Sequence, residues 1–212
     1  MSELQTESTP EPSNAPVRKR PKPGERRVQI LQALATMLEQ PGAERITTAA
    51  LAARLSVSEA ALYRHFASKA QMFEALIDFI EASVFSLINQ IQERETDSGV
   101  RIGKMVRMLV QFAEKNPGMT RVMVGDALVF EHERLQERMN LFFDKLEAQW
   151  RQSLRDMVSA SPTPTVDAQL RASLLQAFMI GRLQRYARSG FRRLPSENLE
   201  ASLAIVLPAS SA

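Results

Sequence analysis

Residues 47–69 read TTAALAARLSVSEAALYRHFASK, and the spacing within this stretch decides the fold around it. Thr47 or Thr48 is placed to cap a short helix, TAALAARL, whose Leu51 and Leu55 lie four apart and face inward. The turn Leu55-Ser56-Val57-Ser58 follows, and Ser58 can cap a second short helix. That second helix opens with Ser58, Ala60 and Ala61, small enough to approach a groove floor without a clash. Val57, Leu62 and Phe66 hold its back against neighbouring helices. Tyr63, Arg64 and His65 then bring a hydroxyl, a guanidinium and an imidazole within reach of phosphates or base edges. Ser68 caps the next helix, and Lys69 in its first turn adds charge beside exposed backbone N–H groups, a favourable place for a phosphate. Two short capped helices joined by a tight turn form a helix-turn-helix, so this region is expected to bind DNA.

Upstream, a helix over about Glu25–Gln40 places Ile30, Leu34, Met37 and Leu38 on one face and ends at Pro41-Gly42. Residues 1–23 carry five prolines and almost no apolar side chains, which reads as a disordered arm. Glu3, Glu7 and Glu11 precede Arg18, Lys19, Arg20 and Lys22, with Arg26 and Arg27 close behind. Such a basic run tracks nucleic-acid phosphates or is simply a solvated tail.

Downstream, a long helix over about Lys69–Gln92 aligns Phe73, Leu76, Ile80, Val84, Leu87 and Ile91 in one stripe. Met72, Phe79 and Phe85 fall off that stripe, so each is either buried against another helix or part of a docking strip. Further helices are expected over about Val100–Asn116, stopped by Asn116-Pro117-Gly118, and over roughly Phe130–Val158, with a short segment near Thr120–Gly125 between them. Ser159–Thr165 is a loop by composition, and about Val166–Ser189 is apolar on two faces, as in a helix packed on its own subunit and on a second one. A last helix follows Pro195 with Ser196 as its cap. The expected fold is all-α: a helix-turn-helix domain over 24–70 and a helical dimerisation and partner-binding domain over 71–212.

Composition narrows the function classes. The formal charge is only +3 over 212 residues, so the distribution of charge matters more than its total. The absence of cysteine excludes disulfides and thiolate chemistry and fits a reducing cytoplasm. No apolar run approaches the roughly 18 residues of a membrane span, and the acidic, Pro/Ser-rich start lacks signal-peptide features. His65 and His132 are the only histidines and form no metal motif; Glu131-His132-Glu133 reads as a solvated triplet. With no phosphate loop and no nucleophile elbow, neither enzyme activity nor a cofactor or metal is expected.

The stretch ITTAALAARLSVSEAALYRHFASKAQMF (residues 46–73) resembles the DNA-binding domain of TetR-family regulators, whose signature has the form T-x-x-x-L-A-x-x-x-G-V-S-x-x-x-L-Y-x-H-F-x-S-K. Ser56 stands where the family often has Gly, at a turn position that calls for positive φ. EKNPGMTRVMVGDALVFEHERLQERMN and RLQRYARSGFRR extend the likeness, from about Glu25 to about Arg193, to the nucleoid-occlusion branch of that family. The resemblance implies a nucleoid-associated homodimer on palindromic chromosomal DNA, with one or two dimers per site, which binds the tubulin-like division protein FtsZ and blocks ring assembly. The candidate DNA-binding set is Thr47, Thr48, Ser58, Glu59, Ala60, Tyr63, Arg64, His65 and Lys69, of which Thr47, Ser58, Tyr63, His65 and Lys69 match contact positions of the family motif. Phe79, Lys115 and Asn116 match the FtsZ-binding positions of the branch, and Arg94 and Arg101 are expected to widen a positive patch beside them. The alternative is a ligand-responsive TetR-type repressor with a pocket lined by Met108, Phe112 and Met123.

Overall fold

The computed structural model describes residues 24–40, 45–159 and 161–207, so the expected N-terminal arm lies outside the described residues. Among the described residues every regular element is helical, in the order α1 (Glu25–Leu38), α2 (Thr48–Arg54), α3 (Glu59–Tyr63), α4 (Lys69–Arg94), α5 (Ser98–Lys115), α6 (Pro117–Met123), α7 (Glu133–Met157), α8 (Pro164–Arg188) and α9 (Leu199–Val206). A 3-10 turn, Asp126–Leu128, leads towards α7. No described helix is long and apolar enough to cross a membrane.

Local sequence sets most of these starts. Thr47, Ser58, Ser68 and Asp97 accept hydrogen bonds from the N–H groups of Ala50, Ala61, Gln71 and Val100, fixing the first turns of α2, α3, α4 and α5. α5 stops at Lys115, at the expected Asn116-Pro117-Gly118 break, and Pro117 also opens α6, where its fixed φ suits the first helical position and no donor is lost. Ser196, by contrast, is not the expected cap; its N–H donates to Glu114 Oε1, and α9 starts three residues later from Asn198 at φ +52°.

The buried side chains form one cluster running from Ile30 to Leu203. α7 packs on both α5 and α8, with Leu135, Met139, Phe142, Leu146 and Trp150 buried along one face. Along α4, Phe73, Leu76, Ile80 and Val84 are buried as expected and Ile91 packs against the core, but Leu87 is 39% exposed and Ile88 is buried in its place. Of the three off-stripe residues, Met72 is buried and Phe85 meets Phe142 edge-on at 5.4 Å. Phe79 alone is left 51% exposed. The two-faced character expected of α8 is present, because Leu175, Met179 and Leu183 are buried while Val166, Leu170 and Leu174 line an exposed stripe.

Three features fix how the helix-turn-helix end joins the rest. α1 packs against α6 so closely that Gly118 lies on the carbonyl of Ala35. A seam of ion pairs links α4 to α7 and the segment before it: Lys69 to Glu131, Glu74 to Arg134, and both Asp78 and Glu81 to Arg138. Residue numbers rise together on both sides of this seam, so the two helices run parallel. At the far end, Arg182 is buried and donates to the carbonyls of Pro195 and Glu197 and to Ser202 Oγ, closing the segment between α8 and α9. Burial lowers the pKa of that guanidinium below its ordinary value.

Candidate nucleic-acid interface

The interface is built from the α2–α3 turn. Val57 N–H bonds the Ala52 carbonyl at 3.0 Å and Ser56 N–H bonds that of Ala53 at 3.1 Å, the paired pattern that ends a helix through a left-handed residue. Ser56 is that residue, at φ +53°. A side chain there costs about 1 kcal/mol relative to glycine. Ser56→Gly should therefore stabilise the fold by about that amount and raise Tm by a few degrees in thermal denaturation, with duplex affinity unchanged. A lower Tm would show that the hydroxyl, not the backbone, governs the turn.

Beyond the turn, Leu62 and Phe66 are buried and leave Ser58, Glu59, Ala60, Tyr63 and Arg64 exposed on the outer side of α3. Thr47 is exposed beside them, at the start of α2. Thr48 and Glu59 face each other: the Thr48 hydroxyl donates to Glu59 Oε2 at 2.5 Å, bracing α2 against α3. His65 is half-buried, and its carbonyl accepts a hydrogen bond from Arg27 Nη1. Arg27 also stacks its guanidinium 4.1 Å from the centre of the Phe66 ring. The sequence groups Arg27 with the basic run of the N-terminal arm; the structure places it in α1 as the brace of the α3–α4 turn. Lys69 is 25% exposed and paired with Glu131, whose side chain is only 8% exposed. The triplet Glu131-His132-Glu133 is thus not uniformly solvated, and His132 serves as the N-cap of α7.

The candidate partner residues lie outside α2 and α3. Phe79 projects from α4 and Lys115 is exposed at the end of α5. Asn116 spends its amide on the Phe112 carbonyl at 2.7 Å, which fixes the α5–α6 corner. Arg101 does not add to a free positive patch. It is bound to the carbonyls of Glu95 and Thr96 and paired with Asp156 at 3.5 Å, while Arg94 is exposed. Met108, Phe112 and Met123 pack into the core as ordinary hydrophobic residues.

Comparison with known proteins agrees with this geometry in both halves. Residues 30–76 match the model of bacterial regulatory proteins of the tetR family, and residues 96–208 match the SlmA-like C-terminal domain of tetracyclin-repressor-like proteins. The chain is 48% identical over 188 residues to the nucleoid occlusion factor SlmA of Aliivibrio fischeri strain MJ11, covering 88% of this chain and 96% of that one. It is 49% identical over 187 residues to the SlmA of Vibrio vulnificus strain YJ016, covering 87% and 95%. Among solved structures, the TetR-family transcriptional regulator PfmR of Thermus thermophilus superposes with a TM-score of 0.69 at 20% identity, over 84% of this chain and 97% of that one. The fatty acid degradation regulator FadR of Bacillus halodurans does so with a TM-score of 0.70 at 13% identity, over 90% and 98%. These two likenesses establish the fold and nothing finer.

Proposed function

Because this chain belongs to the TetR family of bacterial regulatory proteins, in its SlmA-like branch, we propose that it is a DNA-binding nucleoid occlusion factor which, from palindromic chromosomal sites, binds FtsZ and blocks division-ring assembly over the nucleoid. It is a regulator rather than an enzyme. One observation supports the reading: the similarity to nucleoid occlusion factors runs through the second half of the chain as well as through the helix-turn-helix.

The DNA-facing set is Thr47, Ser58, Ala60, Tyr63, Arg64, His65 and Lys69, with Thr48 and Glu59 bracing the motif from within. The exposed stripe of Val166, Leu170 and Leu174 on α8 is the surface on which two subunits meet, presenting their α3 helices to the two half-sites of a palindrome. Phe79, Lys115 and Asn116 form the FtsZ-facing set, with Asn116 holding the corner on which Lys115 is carried. The protein acts on the nucleoid in the cytoplasm.

Three to four phosphates neutralised per subunit give a log–log salt slope of about −5 to −7 for the dimer. Fluorescence anisotropy with a labelled palindromic duplex across a salt series measures it, and a slope near zero removes the DNA assignment. The division role is tested by sedimenting FtsZ polymers with this protein, with and without the duplex. Loss of polymer that depends on DNA is the expected result. The anisotropy titration, repeated at duplex concentrations well above Kd, reports whether one dimer or two occupy a site. Polymer mass untouched in both arms returns the chain to the general class of TetR repressors.

A further inference from the structure

The segment ahead of α7 brings an acid to the DNA-binding end of the molecule. Glu131 reaches back 62 residues to Lys69, and the pair is largely shielded, with side-chain exposures of 8% and 25%. Lys69 stands in the first turn of α4, directly after the capping Ser68. Unpaired backbone N–H groups and the helix dipole favour an anion at that end. Its ammonium also lies 5.7 Å from the centre of the Phe73 ring, which holds the side chain near the helix. One anion, supplied by the protein itself, therefore holds the ammonium that a DNA phosphate would claim.

We propose that Glu131 is a built-in phosphate surrogate: it holds Lys69 in the free protein and gives it up to the DNA backbone on binding, which lowers the affinity and links the segment ahead of α7 to occupancy of the DNA site. The proposal rests on the DNA-binding reading above. The other crossings of the seam, Glu74 to Arg134 and Asp78 and Glu81 to Arg138, do not involve Lys69 and keep α7 on α4 in both states. Release is thus confined to the short stretch before α7, where Val129 and Phe130 are already mostly exposed. The Glu131 amide, bonded to the Leu128 carbonyl at 3.0 Å, reports directly on that stretch.

The pair that must be broken gives the test its sign. When Lys69 meets a phosphate, one condensed cation leaves the DNA, but the Lys69–Glu131 pair is lost, so the contact adds less affinity than a free lysine would. Glu131→Gln removes that cost. The variant is expected to bind the palindromic duplex roughly three- to tenfold more tightly at fixed salt, the worth of one partly buried ion pair, with a nearly unchanged salt slope because the same phosphates are neutralised. Glu131→Asp keeps the charge but shortens its reach and should fall between. Hydrogen exchange at the Glu131 amide of the wild-type protein should quicken when the duplex is added. An affinity for Glu131→Gln equal to or below wild type, a slope changed by about 0.9 per subunit, or an amide indifferent to DNA each overturns the proposal. Failure of the wild-type chain to bind any duplex overturns the DNA reading itself, a result distinct from these three.

Discussion

Gly118→Ala should destabilise the protein by at least about 3 kcal/mol and lower its Tm by roughly 6–12 °C. A Cβ at this position would lie 2.0 Å from the Ala35 carbonyl oxygen and 3.2 Å from Leu38 Cβ. The first of these neighbours is backbone in α1, held by the hydrogen bonds of its own helix, so no rotamer change relieves the overlap. Only separation of α1 from α6 does. α1 cannot move alone, because Ile30, Leu34 and Leu38 are buried in the common core. The damage should therefore fall first on the DNA-binding end. Duplex affinity is expected to collapse at temperatures where circular dichroism still shows most of the helix content. A melting curve within a degree or two of wild type would mean that α1 and α6 are not in this close contact in solution.

The second large effect concerns partner binding. Phe79→Ala should weaken FtsZ binding by about 10- to 100-fold, as expected for an aromatic anchor at the centre of an interface, and leave duplex affinity intact. Half of the Phe79 surface is already in water, with Asp78 exposed beside it. Truncation therefore removes little intramolecular packing, and the cost in stability should stay below about 1 kcal/mol. Parallel anisotropy titrations with labelled duplex and with labelled FtsZ separate the two activities. Equal loss of both would show that Phe79 supports the fold rather than a partner.

The helix-turn-helix was legible because its information is local. Each cap lies three residues from the N–H it satisfies, so Thr47, Ser58 and Ser68 announce their helices within a single turn. The left-handed turn at Ser56 could be anticipated for the same reason. Phe79 was visible as a hydrophobic residue off the core stripe, but periodicity could not separate it from Met72 and Phe85, which find cover on other helices. Where a role depends on a distant partner, local reasoning failed. Pro117-Gly118 has the composition of a turn, and only the approach of α1 shows that its glycine serves close packing. Glu131 and Arg27 looked solvated because their partners, Lys69 and the His65 carbonyl, lie 62 and 38 residues away. Arg101 looked free because one of its partners, Asp156, belongs to another helix.

α4 has a mechanical consequence. Lys69 and Phe79 stand ten residues, or about 15 Å, apart on one unbroken helix of 26 residues. No proline, glycine or loop interrupts the rod between them. A rod has no joint at which a tilt can dissipate, so, on the proposed DNA-bound reading, an inclination imposed at the Lys69 end is carried to Phe79. Torque rather than a chain of small rearrangements would carry the message, and the stiffness of ten helical residues sets its fidelity.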